Sequence, residues 1–443
     1  MKPYPKYKDS GVEWLGEIPV GWEVIKLSRS YSVQLGKMLQ PNQTTKTDVL
    51  KPYLRSANIT WDGVDTSEIK LMYFSTEEIK KYKLFENDLL VSEGGDVGRS
   101  CLWKGELEEC YIQNAINRVR GKKSNNTKFL FYYIFKIKHI GWIDILCNKS
   151  TIAHFTAEKL NAITIPLPPL AEQKAIATFL DRETAKIDTL IAKQEQLIAL
   201  LEEKRQALIS HAVTKGLDPN TKMKDSGVEW LGEIPEGWEV NRLKFICKVY
   251  GRIGFRGYTT EDIVDEGLGA ITLSPSNMAE GELKFDKVTY ISWKKYHESP
   301  EIQVKPGDIL VVKTGSTYGK IAMVRELNSE ATINPQIAIF KEAKVHELFL
   351  FNFLVSPMIN EQFKLMNSGS TIPTMTQENL VNLPIPHPSL TEQKAIAEFL
   401  DKQTKKLDLI KEKALSVIEL LKEKRSALIS SAVTGKIDVR ELV

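Results

Sequence analysis

Two blocks of this sequence each occur twice, in the same order. Lys8 to Pro19 reads KDSGVEWLGEIP, as does Lys224 to Pro235, and each copy is followed one residue later by GWEV (Gly21 to Val24, Gly237 to Val240). Further on, Leu170 to Thr214 (LAEQKAIATFLD…LEEKRQALISHAVT) returns as Leu390 to Thr434 (LTEQKAIAEFLD…LKEKRSALISSAVT), displaced by 220 residues. The stretches between the blocks share only scattered similarity. Such a chain is expected to fold as two similar units, and a constant framework around divergent inserts points to two recognition surfaces on one pseudo-symmetric chassis.

The second block dictates the most local structure. Ile187, Gln194, Leu201 and Leu208 fall on one heptad position, with Leu190, Leu197 and Lys204 on the other. The second copy keeps the register with Leu407, Ala414, Leu421 and Leu428, and with Ile410, Val417 and Lys424. Both copies therefore predict long helices with an apolar seam. Ser389 with Glu392 forms a capping box, Pro168 and Pro169 delimit the first helix, and Gly216 and Gly435 are C-cap candidates. A helix over 172–212 is about 60 Å long. About ten residues link it to the second KDSGVEWLGEIP box and reach at most about 36 Å. The second insert is thus expected at the far end of the first helix, with the second helix returning antiparallel.

The inserts, about 25–165 and 241–385, read as mixed. The runs after Asp88 (LLV) and Asp308 (ILVV) predict strands, and Phe129 to Ile137 and Leu348 to Val355 predict buried helices in equivalent places. Ser150-Thr151-Ile152 matches Ser370-Thr371-Ile372, followed by an apolar strand and a proline-rich exit. The expected fold is α+β: two similar mixed α/β domains joined by two long helices in an antiparallel coiled coil. The divisions are 1–169, 170–215, 216–389 and 390–443.

Bulk properties exclude several classes. Charged residues make up 26% and apolar ones 42%, and no apolar run approaches the roughly 18 residues of a membrane span. MKPYPKYKDS has no apolar stretch behind its lysines, so a cytoplasmic protein is expected. Cys101, Cys110, Cys147 and Cys247 form no CxxC pair and are expected as buried free thiols. The net charge of +3 is small, so nucleic-acid contact has to come from local patches.

A search for catalytic motifs fails. Thr314 to Lys320 (TGSTYGK) is one residue short of a P-loop and has Ile321 where Ser or Thr would hold magnesium. Gly251 to Gly257 (GRIGFRG) lacks the GxGxxG pattern, and Asn334-Pro335-Gln336-Ile337 lacks the second proline and the aromatic of an amino-methyltransferase motif. With no carboxylate cluster, nucleophile triad or metal set, the chain is expected to be non-catalytic and to bind no cofactor or metal itself. What remains is glycine-containing loops carrying positive charge. Arg99 and Lys320 fall on corresponding turns (SEGGDVGRS, KTGSTYGK), with Lys313 beside the latter. Lys122 and Lys123 add charge to the first insert, and Arg252, Arg256, Lys294 and Lys295 to the second. Such groups contact phosphates or read guanine edges, or else are simply solvated. Trp61, Tyr73, Trp293 and Tyr296 offer base stacking or, more commonly, core packing. Trp14 and Trp230 are expected to pack the framework. The repeated Glu-Gln-Lys and Glu-Lys-Arg triplets on the helices suggest a partner surface.

Together these features resemble the specificity subunit of type I restriction-modification systems. The resemblance is carried by the GEIPxGWE starts (Gly16 to Glu23, Gly232 to Glu239) and by the helix leads Ile165 to Asp181 and Ile385 to Asp401, and it spans the chain. It implies two target-recognition domains, each reading half of a bipartite, asymmetric site on double-stranded DNA, with the helices setting the gap. It also implies two methyltransferase (modification) subunits bound to the framework and restriction/translocase subunits beyond them. S-adenosylmethionine, ATP and magnesium would belong to those partners. The alternatives are a recognition subunit of a related type II bipartite-site enzyme and a coiled-coil scaffold that binds no nucleic acid.

Overall fold

The repeated box folds as a small local structure in both copies. Tyr7–Asp9 pairs antiparallel with Glu17–Pro19, and Met223–Asp225 pairs with Glu233–Pro235 in the same register. The indole beyond each hairpin, Trp22 or Trp238, is 1% exposed and anchors the core of its unit. The computed structural model describes residues 2–147, 153–252, 257–366 and 373–442. It contains two compact units, Met1–Gln194 with Leu415–Val443, and Glu195–Ala414.

Each insert builds an equivalent pair of sheets, the second of which carries an added edge strand, Ile263–Val264, in the second unit. In the first unit a four-stranded sheet runs Tyr31–Leu35, Ile116–Gly121, Leu89–Ser92, Ser100–Leu102, all neighbours antiparallel. In the second unit the equivalent order is Lys248–Gly251, Ile337–Lys341, Ile309–Val312, Ile321–Met323. A second sheet mixes directions: Val49–Leu54 pairs antiparallel with Lys70–Phe74 and parallel with Tyr111–Ile112. Gly269–Leu273 does the same with Thr289–Ser292 and Ala331–Ile333. The apolar helices are Thr127–His139 and Glu347–Leu354, close to their expected bounds. Each insert is closed where its exit strand pairs with its first strand, Thr164–Leu167 with Glu23–Lys26 and Pro384–His387 with Glu239–Arg242. The Ser-Thr-Ile matches at 150–152 and 370–372 lie outside the described residues. All four cysteines are buried free thiols.

The long helices are Leu170–Lys215 and Leu390–Val433, of 46 and 44 residues. Within the second unit Glu202 meets Lys411 at 3.5 Å and Arg205 meets Asp408 at 3.6 Å, so one number rises as the other falls and the helices are antiparallel. Each unit's core takes the same three side chains from the C-terminal end of a long helix: Ile209, Ala212 and Val213 in the second, Ile429, Ala432 and Val433 in the first. The second insert is thus built on the far end of the first helix, as the linker length requires.

One side of the predicted seam is corrected. Ile187, Leu201, Leu407 and Ala414 are buried, and Gln194, Leu208, Leu421 and Leu428 half-buried. Leu190, Leu197, Ile410 and Val417 are instead 46%, 37%, 43% and 39% exposed, and Lys204 and Lys424 are exposed too. The second line turned inward lies one residue further on, with Ile418 buried and Ile191, Ile198, Arg205, Lys411 and Arg425 half-buried. The apolar stripe is wider than a seam, so periodicity alone leaves its flank open. The arginine position is accommodated because the guanidinium extends to an aspartate on the neighbouring helix.

Candidate nucleic-acid interface

The turn after the central strand of each insert is the feature the sequence singled out. Ser92 N–H donates to Arg99 O and Gly98 N–H to Ser92 O, both near 2.8 to 2.9 Å; Val312 and Gly319 make the same bonds to Lys320 O and Val312 O. Arg99 and Lys320 are therefore structural counterparts. Their side chains fold back rather than project freely. Arg99 Nη2 donates to Ser56 O at 3.1 Å, and Lys320 Nζ to Pro275 O at 3.3 Å. Ser56 and Pro275 each open a short 3-10 turn that ends in a buried asparagine. Asn58 Nδ2 donates to Asp65 O and Glu68 O, as Asn277 Nδ2 does to Lys284 O and Lys287 O. This asparagine turn, missed in the sequence, is visible in retrospect as a buried Asn shared by SAN and PSN.

The other basic candidates divide. Lys122 and Lys123 are exposed but lie just past Gly121, at the strand end opposite Ile116, which neighbours Ser92. Five residues of strand, about 16 Å, separate them from the Arg99 turn. Lys122 Nζ there donates to Ser28 O at 2.7 Å. Arg252 is corrected from a surface residue to a core one: it is 4% exposed, its Nε donates to Ile333 O and its Nη2 to Thr332 Oγ1, both at 3.1 Å. Burial pulls its guanidinium below the ordinary arginine range, and the core hydrogen bonds hold it in place. Arg256 lies outside the described residues. Lys294 is exposed, and Lys295 is drawn to Glu298 at 2.8 Å. Lys313 is half-buried and lies beside Gly251, whose added Cβ would meet its Nζ at 3.0 Å. Burial holds its ammonium below the ordinary lysine range.

Of the aromatics, Trp61 packs on Phe131, Phe135 and His139, and Tyr296 is buried. Tyr73 is half-buried, and Trp293 is 42% exposed beside Tyr296 and His297. Trp14 packs the framework against Tyr133 and Trp142, and Trp230 lines the second core.

The repeated Glu-Gln-Lys triplets are mostly internal joints rather than a partner surface. Trp22 Nε1 donates to Glu172 at 2.9 Å and Trp238 Nε1 to Glu392 at 3.2 Å. Gln173 accepts from Asn126 N–H and donates to Pro168 O, and Gln393 accepts from His346 N–H and donates to Pro388 O, all within 2.8 to 2.9 Å. Each glutamine, at most 1% exposed, fastens a long helix to the apolar helix of its own insert. Only Lys174 and Lys394 of the triplets face solvent fully in both copies. Among the described residues no group of three or more His, Cys, Asp or Glu is placed to hold a metal, and no helix is long and apolar enough to cross a membrane.

The sequence matches the family described as Type I restriction modification DNA specificity domain over residues 19–199 and 235–420. The chain belongs to this family. A member of like length is the Type I restriction enzyme MjaVIII specificity subunit of Methanocaldococcus jannaschii, 27% identical over 431 residues, covering 96% of this chain and 95% of that one. The EcoBI specificity subunit of Escherichia coli is 24% identical over 375 residues, covering 82% and 77%. Solved structures of the family share the fold. A chain from a study of complex assembly and conformational transition of the type I R-M system gives a TM-score of 0.71 at 16% identity, covering 95% and 99%. The HsdS subunit of Thermoanaerobacter tengcongensis gives 0.56 at 18%, covering 95% and 98%.

Proposed function

We propose that, within the DNA-specificity role of its family, each insert domain reads one half of a bipartite, asymmetric site and the paired helices set the distance between the halves. The observation that carries this reading is the contrast between sameness and difference. The two inserts repeat one fold down to strand register, while the side chains on the equivalent turns differ. Base readout in the major groove depends on a few donors and acceptors, so divergence on a constant scaffold is what two different half-sites require. The chain itself acts as a non-catalytic reader. Exposed apolar side chains on the helices, Leu190, Leu415 and Leu420 in the first unit and Leu197, Leu200 and Leu409 in the second, support docking of two modification subunits on the framework. S-adenosylmethionine, ATP and magnesium are assigned to the modification and restriction subunits.

Replacing residues 25–165 with the corresponding insert of a relative, in a complex reconstituted with its modification subunits, tests the modular reading. The expected methylation map changes in one half-site only; a change in both would overturn it. Matched insertion of four residues after Gln196 and after Ser416 lengthens each helix by about 6 Å and rotates its downstream portion by roughly 40°. The expected spacer grows by one or two base pairs with unchanged half-sites. An unaltered spacer at full methylation would remove the ruler role.

A further inference from the structure

The residue immediately after the central strand carries opposite charge in the two inserts. Glu93 N–H donates to Ala115 O at 2.9 Å and Glu93 O accepts from Phe155 N–H at 2.8 Å. Lys313 N–H donates to Gln336 O, and Lys313 O accepts from Met375 N–H, both at 2.8 Å. Two identical backbone bonds, each spanning the same elements, make Glu93 and Lys313 the same position of one fold. Both are half-buried. Neither side chain has a hydrogen bond or ion pair among the described residues, and Glu93 Oε2 is buried and unpartnered. Burial raises the Glu93 carboxyl, with His154 as the opposing charge, and lowers the Lys313 ammonium, so each is destabilised where it stands. A partly desolvated charge without a hydrogen bond costs the fold more stability than a distant opposing charge returns, which marks positions suited to something other than packing. Arg252, by contrast, is bonded into the core and adjoins in sequence the glycine that Lys313 touches.

We propose that Glu93 and Lys313 are the base-reading residues of their respective domains. Glu93 accepts from the amino group of a cytosine and Lys313 donates to the O6/N7 edge of a guanine in the major groove. The chemistry rests on donor and acceptor count. A carboxylate only accepts, and among the bases the cytosine N4 amino group is its usual partner; an ammonium only donates, and guanine offers two acceptors side by side. Gly94 and Gly95 follow Glu93 directly and Gly315 follows Lys313 by one residue, so each turn carries a residue without a side chain close to the charged position. This inference rests on the reading of one half-site per domain.

The test uses the chain assembled with its modification subunits and selection of bound duplexes from a randomised DNA library, with methylation mapping alongside. For Glu93→Gln, which keeps the shape and adds a donor, the expected result is a loss of about tenfold or more in discrimination at one cytosine position of one half-site, the other half-site unchanged. Lys313→Gln is expected to relax one guanine position of the other half-site alone. Full discrimination retained by both variants would overturn the assignment while leaving the domain reading intact. A wild-type selection that returned no bipartite motif would instead overturn the domain reading. Should Glu93→Gln weaken binding at every sequence equally, the residue is a support for the turn and the assignment fails. Glu93→Ala and Lys313→Met, which remove the charge without adding a donor, are expected to relax the same single positions, and uniform weakening by them counts against it in the same way.

Discussion

Arg425 on the second long helix reaches Asp188 on the first, Nε to Oδ1 at 2.9 Å, and its guanidinium lies 5.1 Å from the centre of the Phe135 ring. One repeat length away, Arg205 and Asp408 form the counterpart bridge in the other unit at 3.6 Å. The arginine of each Glu-Lys-Arg triplet thus crosses between helices. Asp188 is half exposed, so its ion pair contributes about 0.5 kcal/mol. Arg425→Ala is expected to cost more than Asp188→Ala because the ring contact goes with it, and Arg425→Lys to recover only part. A double-mutant cycle by urea unfolding gives the coupling; equal losses for the two single variants would refute the ring contribution.

The glutamine joints predict a larger loss. Gln173→Ala strips an acceptor from the Asn126 N–H and a donor from Pro168 O, both beside a side chain that is fully buried. Leaving buried groups unpaired costs about 1 to 3 kcal/mol each. Gln173→Ala and Gln393→Ala are each expected to lower stability by roughly 2 kcal/mol or more in chemical denaturation. A loss within about 0.5 kcal/mol, the usual range of a surface substitution, would show that the joints are incidental.

Gly216 and Gly435 close their helices with φ of +78° and +71°, and differ in their surroundings. A Cβ on Gly216 would stand 3.4 Å from the Trp238 ring, whereas on Gly435 it would come within 2.3 Å of Pro19 Cδ. Gly216→Ala is expected to cost about 1 to 2 kcal/mol, from the left-handed backbone alone. Gly435→Ala is expected to cost at least twice as much, since the proline ring cannot swing aside. Thermal unfolding of the two variants compares them, and equal losses would contradict the packing against Pro19.

Lys136 is 7% exposed, with Nζ 4.2 Å from the centre of the Trp14 ring, and burial pushes it down to about 8. In the unfolded chain it titrates near the ordinary value of about 10.4. Between these values the unfolded state holds a proton that the native state has released, so this group's penalty on the fold is full below about pH 8 and is relieved as pH rises toward about 10.4. Lys136→Met is expected to be more stable relative to the parent at about pH 7 than at about pH 10.5, the gap narrowing by roughly 2 to 3 kcal/mol. Taking the difference between the two proteins cancels the buried thiols and phenols that titrate in the same window. A gap constant with pH would show the ammonium to be hydrated in the native state.

The duplicated blocks made the architecture legible, because repetition reports a shared fold without any need to solve it. The central strands, apolar helices, capping box and helix-end glycines all stand where their local signals put them. The flank of the seam was not legible: Leu190 and Ile191 are equally apolar, and only packing chooses between them. Charge alone also misjudged Arg252, since an arginine inside a core looks the same in sequence as one on a surface loop. Glu93 went unnoticed for the converse reason. Cations draw the eye on a nucleic-acid surface and an acid does not; the 220-residue offset pairs Glu93 with Lys313, but only the shared backbone bonds show that the two occupy one position.

The first unit is assembled from two distant stretches of chain, and this orders its birth on the ribosome. Trp22 and Pro19 emerge early but find Val433 and Gly435, against which they rest, only after some four hundred further residues have been made. The second unit is contiguous and has all its parts as soon as residue 414 is out. At about 5 to 20 residues per second, Trp22 and Pro19 wait roughly 20 to 80 seconds for their backing while the later-made twin of their insert is completed. The earlier-synthesised half is therefore the last to mature, and a nascent chain stalled before Ile429 would expose an unfinished core that chaperones can hold.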